Sequence, residues 1–215
     1  MEWLSENIQS VGATFTWAGI LTSPLLVLPF LSLLKIPPII KLSEAVSRLI
    51  DKVSGGALAA AITAAIIMVV AQLAVVIARY IFGLAFTWLS ELVVYAFAAM
   101  FLLGAAAALC EDEHVRVDVL RPRFGERGRA MIELAGIYVF IIPFCLLVLG
   151  SGAAWIALSW RELEGSSESD GLPFRYLFKS MIPLFAVLLM AQSLSEAIKA
   201  ALILAGVRSP DEEVG

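Results

Sequence analysis

The sequence predicts an all-α integral membrane protein with a four-helix transmembrane core. Hydrophobic residues make up 60% of its 215 residues and charged residues 16%, against about 45–50% and about 25% in soluble domains. The excess lies in long apolar runs, as expected when lipid is the solvent for most of the chain. The net charge is −4 and no tract is strongly basic, so a nucleic-acid partner is not expected.

An N-terminal extension, residues 1–38, contains the first apolar run at 11–34, which Pro24 and Pro29 interrupt. Two acidic residues and no Lys or Arg precede this run, which is the opposite of a secretory signal peptide. An extra, kinked span before the core is therefore predicted, with a re-entrant or surface segment as the alternatives.

The core domain, residues 39–205, opens with the segment 39–53, in which apolar residues recur at helical spacing and Lys, Ser, Glu, Arg and Asp fill the other positions. This helix is too polar to span the bilayer. We expect it to lie along the membrane interface, with packing on a soluble partner as the alternative.

Four spans are predicted at about residues 55–82, 89–110, 131–159 and 182–205, followed by a tail at 206–215. The first span carries a stripe of mostly small side chains, namely Ala57, Ala61, Ala64, Met68, Ala71, Val75 and Ala78. Small residues let helix backbones approach closely, and this close approach drives helix association in lipid. We expect the stripe and the 104–108 face, which begins at Gly104, to pack against other helices, some of them in a partner subunit.

Basic residues concentrate on alternate sides of the predicted spans. They are frequent before the first core span and in the loop between the second and third, which contains Arg116. The positive-inside rule therefore predicts a cytoplasmic C-terminus, and a periplasmic N-terminus if the run at 11–34 crosses.

Two carboxylates inside the predicted spans are candidate functional groups, because ionisable residues in membranes often are. Glu91 and Glu133 both lie near an interface, where structural pairing with Arg79 and Arg129 is expected. Contact with a partner subunit and a proton or substrate site are the alternatives.

A catalytic, metal or cofactor site is not expected. The only histidine, His114, stands with Arg116 and Asp118 in "GAAAALCEDEHVRVDVLRP". One histidine is too few for bis-histidine haem ligation, and a short solvated loop offers a metal no preformed cage. Cys110 and Cys145 form no CxxC pair, and no Ser or Cys lies in a nucleophile motif. The chain is therefore not expected to be an enzyme.

The second polar insert is "SWRELEGSSESDGLPFRYLFKSMIP", whose flanking aromatic residues suit a membrane–water interface. Its Ser, Glu, Asp and Gly centre predicts a flexible, solvated loop. A docking surface for a periplasmic partner is the alternative.

The residues from "ARYIFGLAFTWLSEL" to "GAAAALCEDEHVRVDVL", with the "SSESDGLPFRYLFKSMIPL" loop and "MAQSLSEAI", resemble a known family. Over roughly residues 39–205 the chain is similar to the small permease (Q, or DctQ-like) subunit of tripartite ATP-independent periplasmic (TRAP) transporters. The residues that carry the resemblance include Arg79, Trp88 and Glu91 before and within the second span, and His114, Arg116 and Asp118 after it. The run at 11–34 departs from the four-span pattern and is similar to longer members.

The resemblance implies a large inner-membrane partner subunit (M), which carries the sodium and substrate sites and moves as an elevator. A periplasmic solute-binding protein (P) would capture an organic acid such as a dicarboxylate, a keto acid or sialic acid. The small subunit would brace the large one and contribute no substrate-binding residue, with His114, Arg116 and Asp118 shaping a loop and its subunit contact. Two alternatives stay open: an autonomous small transporter using Glu91, and a membrane anchor for another complex.

Overall fold

A computed structural model describes residues 26–110 and 125–207, apart from the side chain of Glu126. After a helical stretch at 26–32, its elements are α1 (Pro37–Ile81), α2 (Thr87–Cys110), α3 (Glu126–Gly136), a π-helical turn (Ile137–Ile141), α4 (Ile142–Arg161) and α5 (Arg175–Leu204). No strand occurs in these two ranges. Within the described part of the chain, four helices are long and apolar enough to cross a membrane: Pro37–Ile81, Thr87–Cys110, Arg127–Arg161 and Arg175–Leu204. The predicted fold class is confirmed.

The helix predicted at 39–53 and the span predicted at 55–82 form one continuous helix, α1. Its 45 residues extend about 68 Å at 1.5 Å per residue, about twice the 30 Å of a bilayer's hydrocarbon core. Gly55 and Gly56 lie at the junction without ending the helix. Gly83 follows α1 with a φ of +67°, a left-handed conformation that suits glycine just beyond a helix end.

The third span contains a local widening of the helix. The π-helical turn Ile137–Ile141 lies directly before α4, whose second residue is Pro143. Proline has no N–H to donate and its ring collides with the carbonyl four residues earlier. A π-helical turn is one way for a continuous helix to accommodate this missing bond.

Helix α5 is the centre of the described bundle, since it contacts each of the helices α1 to α4. The stretch 192–202 contains most of its buried side chains, including Ala197, Ile198 and Ala201, none of which is exposed. At this end of the bundle, Leu28 from the stretch 26–32 packs on Ile198 and Leu202. Most of the predicted extra span at 11–34 lies outside the described residues.

The small-residue stripe of α1 faces α2 within the same chain. Three alanines of the stripe, Ala61, Ala64 and Ala71, are buried, and the two at the ends of the stripe, Ala57 and Ala78, are partly buried. A Cβ atom added to Gly104 of α2 would stand 3.7 Å from the Cβ of Ala61, which is ordinary van der Waals contact. The stripe therefore joins two helices of this subunit, and the outward face of α1 presents larger side chains such as Ile66 and Leu73.

Candidate functional site

The largest polar cluster among the described residues lies between the first part of α1 and the second half of α5. We call it the α1–α5 polar network. Its members are Ser47, Asp51, Ser54, Gln192, Ser195, Glu196 and Lys199, with Cys110 of α2 at its edge.

Asp51 is the acceptor at the centre of the network. Its Oδ1 atom accepts hydrogen bonds from Ser195 Oγ at 2.8 Å and from Gln192 Nε2 at 3.0 Å. Its Oδ2 atom lies 3.3 Å from Lys199 Nζ. Two hydrogen bonds and an ammonium group thus compensate a carboxylate whose side chain is only 29% exposed.

Lys199 also pairs with Glu196 on its own helix, Nζ to Oε1, at 2.8 Å. The side chains are 12% and 11% exposed, so water contributes little to their solvation. A charge in such surroundings is tolerated only when it is paired and hydrogen-bonded. One ammonium group therefore stabilises two carboxylates, one from α1 and one from α5.

Gln192 uses its whole amide group in the network. Nε2 donates to Asp51 and, at 3.0 Å, to Glu196, while Oε1 accepts from Ser54 Oγ at 2.6 Å. Ser47 and Ser195 share a further hydrogen bond of 2.7 Å. These contacts bond α1 to α5 through several side chains of each helix.

The acidic and thiol groups of the network do not form an open metal site. The ligand atoms of Asp51, Cys110 and Glu196 lie within 4.8 Å of one another, a spacing at which three ligands can share an ion. Lys199 Nζ already contacts both carboxylates, however. The Cys110 thiol donates to Asp51 at 3.8 Å. An ion-paired helix contact is the arrangement that these distances describe.

A second polar cluster lies at the opposite end of α2, where the α4–α5 loop (residues 162–174) covers Glu91. The Glu91 carboxylate accepts a hydrogen bond from Leu172 N at 2.7 Å and another from Ser166 Oγ. The prediction that Glu91 pairs with Arg79 is therefore wrong. The described contacts of Glu91 come from the loop, where the backbone N–H of Leu172 donates directly to the carboxylate. Arg79 is exposed instead.

The same loop caps the start of α2. The backbone carbonyl of Asp170 accepts from Trp88 N at 3.0 Å, and its carboxylate accepts from Thr87 N at 3.2 Å. These are N–H groups of the first helical turn, which have no partner inside the helix. Hydrogen bonds therefore attach the loop to α2, while its predicted flexibility and the alternative role as a docking surface stay predictions.

Glu164 anchors the other end of the loop. It accepts hydrogen bonds from Lys179 Nζ and, at 2.6 Å, from Ser159 Oγ, and it lies 3.9 Å from Arg175. The hydrogen bond from Lys179, followed by that from Ser159, lowers the pKa of Glu164 below its ordinary value of 4.5. Lys179 Nζ also stands 4.0 Å from the centre of the Trp155 ring, a cation–π distance.

Among the described residues, a small cleft lies at the turn between α1 and α2. It is lined by Val75, Ala78, Arg79, Leu84, Ala85, Phe86, Leu89 and Ser90, and its volume is about 10 Å³. About one water molecule needs this much room, so the cleft is too small for an organic acid.

The structure brings few of the sequence-predicted site residues together. Trp88 and Glu91 meet the α4–α5 loop, and Gly104 meets the alanine stripe. His114, Arg116 and Asp118 lie outside the described residues, so their loop role stays a prediction. The pairing of Glu133 with Arg129 stays one as well.

Sequence reasoning missed the α1–α5 polar network. It counted Ser43, Ser47 and Asp51 only among the polar positions of an interfacial helix, whereas Ser43 and Ser47 are buried and Asp51 is half-buried against α5. The available signal was on α5, where Gln192, Ser195, Glu196 and Lys199 recur at spacings of three and four. Polar residues on one face of an apolar span indicate an internal contact.

The fold and the two polar clusters together define a multi-pass α-helical membrane protein, in which polar side chains join the helices to one another. The family described as "Tripartite ATP-independent periplasmic transporters, DctQ component" matches residues 66–202, and the chain belongs to it. It is therefore the small membrane subunit of a TRAP transporter, a component of a transport system and not a member of an enzyme family. No curated protein and no solved structure matched the chain.

Proposed function

We propose that this subunit is a static scaffold for the large, elevator-type membrane subunit of a TRAP transporter. The complete complex would take up an organic acid, such as a dicarboxylate or keto acid, together with sodium, after a periplasmic solute-binding protein delivers it. The subunit would lie in the inner membrane with its C-terminus in the cytoplasm, and with a periplasmic N-terminus if the run at 11–34 crosses.

The observation that carries this proposal is the bonding of the helices at both ends of the bundle. At one end Asp51 and Lys199 join α1 to α5. At the other, Glu91 and Asp170 fasten the α4–α5 loop to α2. Moving these helices relative to one another would break charged hydrogen bonds worth about 1.5–3 kcal/mol each. Such a unit suits a fixed support.

The state of Glu91 argues against autonomous transport by this chain. A coupling carboxylate must exchange its proton or ion with a pathway. Glu91 instead accepts hydrogen bonds from Leu172 N and Ser166 Oγ, which is how a structural carboxylate is held. The described cleft beside Arg79 would not admit an organic acid.

Reconstitution in liposomes tests the proposal. Uptake of a panel of radiolabelled dicarboxylates and keto acids is measured under an inward sodium gradient. The subunit alone, the large subunit with the binding protein, and all three proteins together are compared. Only the complete set should show uptake, and dissipating the sodium gradient should abolish it.

Each of the other possible outcomes refutes one part of the proposed function. Flux through this subunit alone would make it an autonomous transporter. Full uptake without it would remove the scaffold role, and uptake independent of sodium would remove the coupling. Co-purification with a soluble enzyme in place of a large membrane subunit would indicate an anchor for another complex.

A further inference from the structure

Gln72 presents an amide group to the surroundings of α1. Its side chain is exposed, and within the described part of the chain it has no hydrogen-bond partner. Gln72 lies about 13 Å along the helix axis before the end of α1 at Ile81, at 1.5 Å per residue. The predicted span at 55–82 ends beside Ile81, and a hydrocarbon core is about 30 Å thick, so we expect this amide near the middle of the bilayer.

Three other polar side chains in the spans bond within their own helix. The hydroxyls of Thr63, Ser151 and Ser193 each donate to the carbonyl of the residue four positions earlier, at 2.9, 2.7 and 2.7 Å. An amide group has two donor hydrogens and an acceptor oxygen, which one helical carbonyl does not satisfy. Lipid tails offer no partner, and an unsatisfied polar group there costs several kcal/mol. Gln72 is also too short to reach the headgroups.

We propose that Gln72 marks the face of α1 that binds a transmembrane helix of the large subunit, which presents a hydrogen-bonding side chain opposite the amide. This assignment rests on the proposed function above. The face is the strip Ala65, Val69, Gln72 and Val76, whose spacing of four, three and four keeps one side of a helix against its neighbour. Val69 is 61% exposed and Val76 41%, so the strip is open to a partner.

This face lies beside the alanine stripe and is separate from it. The stripe, through residues such as Ala61 and Ala71, already packs on α2. A bound helix on the Gln72 strip would therefore extend the bundle without disturbing its interior. The strip combines small and β-branched side chains with one polar group, the combination that lets membrane helices approach and select a partner.

The effect of Gln72→Leu on retention of the large subunit distinguishes contact with a partner helix from contact with lipid. In the full-length subunit co-expressed with the large subunit, Gln72→Leu should reduce retention of the large subunit during detergent purification by about threefold. This change corresponds to about 0.6 kcal/mol. The isolated Gln72→Leu subunit should melt no lower than the native subunit. Thr63→Val is the matched control, since Thr63 is polar and exposed on the same helix but internally bonded, and it should leave retention unchanged. If Gln72→Leu leaves retention unchanged as well, the assignment is wrong.

Photo-crosslinking locates the contact directly. A photo-reactive amino acid at Val69, and separately at Val76, should form an adduct with the large subunit in native membranes. The same residue at Phe140, which is 72% exposed on the third span, should form at least several-fold less. Adducts only with lipid or with a second copy of this chain would overturn the assignment, as would stronger labelling from Phe140, while leaving the proposed function intact. Failure of the native subunit to co-purify with the large subunit would refute the proposed function and the assignment with it.

Discussion

Lys199→Met should destabilise the subunit by removing the cation from the α1–α5 polar network. Nζ of Lys199 stands 2.8 Å from Glu196 and 3.3 Å from Asp51. Removing one partner of a buried ion pair costs about 3–5 kcal/mol, because a charge is left buried without compensation. The lower end applies here, since Asp51 is 29% exposed and keeps hydrogen bonds from two neighbours. We expect a loss of about 3 kcal/mol, or on the order of 100-fold in the folding equilibrium.

The assay is reversible unfolding of the purified full-length subunit in mixed micelles, with helix content followed by circular dichroism. Lys52→Met serves as the control, because Lys52 neighbours Asp51 in sequence but is exposed. Exposed charges contribute about 0–1 kcal/mol. Adding Glu196→Gln to Lys199→Met should restore part of the stability, because it neutralises one of the two stranded carboxylates. Equal stability of Lys199→Met and Lys52→Met would refute the reasoning.

Four further substitutions test other parts of the structure. Leu163 has a φ of +46° and is 64% exposed, a left-handed conformation that costs a side-chain-bearing residue about 1–2 kcal/mol. Since glycine's greater backbone freedom costs about 0.5–1 kcal/mol, Leu163→Gly should stabilise the subunit by a net of about 0.5–1 kcal/mol in the same assay; a loss would contradict this. Glu91→Gln should speed proteolytic cleavage of the loop 162–174 yet leave uptake by the complete transporter, whereas abolished uptake with an intact loop would indicate a coupling role. The pKa of Glu164 is lowered by its contacts in the folded loop, so these contacts stabilise the loop above pH 4.5 and lose their effect as the pH falls below it. Native tryptophan fluorescence should therefore report loosening of the loop below pH 4.5, and Glu164→Gln should remove this transition. Ala71→Leu should overpack a 5%-exposed site and cost the isolated subunit about 1–3 kcal/mol, lowering assembly and uptake with it; normal stability with lost assembly would place Ala71 at a subunit interface instead.

The four spans were predictable because their signal is local: about 20 apolar residues in sequence suffice to cross a bilayer. The helix ends were less so. Helix α5 begins at Arg175, seven residues before the predicted span at about 182–205, and its first turns contain Arg175 and Lys179, which meet Glu164 across the loop. Hydropathy counts these side chains as polar and ends the span before them. Contacts between distant residues decide such boundaries.

Only the α5 half of the polar network could be predicted from the sequence, because the other half depends on contacts between distant residues. The α5 side of it recurs along one face of an apolar span, which indicates an internal contact. Its α1 side belongs to an amphipathic helix, and amphipathicity alone does not say which face meets water. Ser47 and Ser54 turn inward because Ser195 and Gln192 of α5 supply hydrogen bonds. Leu49, in contrast, is 64% exposed.

The positions of the polar groups suggest how the subunit combines rigidity with recognition. Charged hydrogen bonds lie toward the two ends of the bundle, around Asp51 and around Glu91, where paired and hydrogen-bonded partners compensate the cost of burying charge. Between them, helix contact depends on small side chains such as Ala61 against Gly104, which hold helices together by close packing. Packing alone discriminates weakly among apolar neighbours, whereas an amide in hydrocarbon favours a neighbour that can satisfy it. An outward Gln72 near the midplane would therefore select a partner without loosening the bundle that presents it.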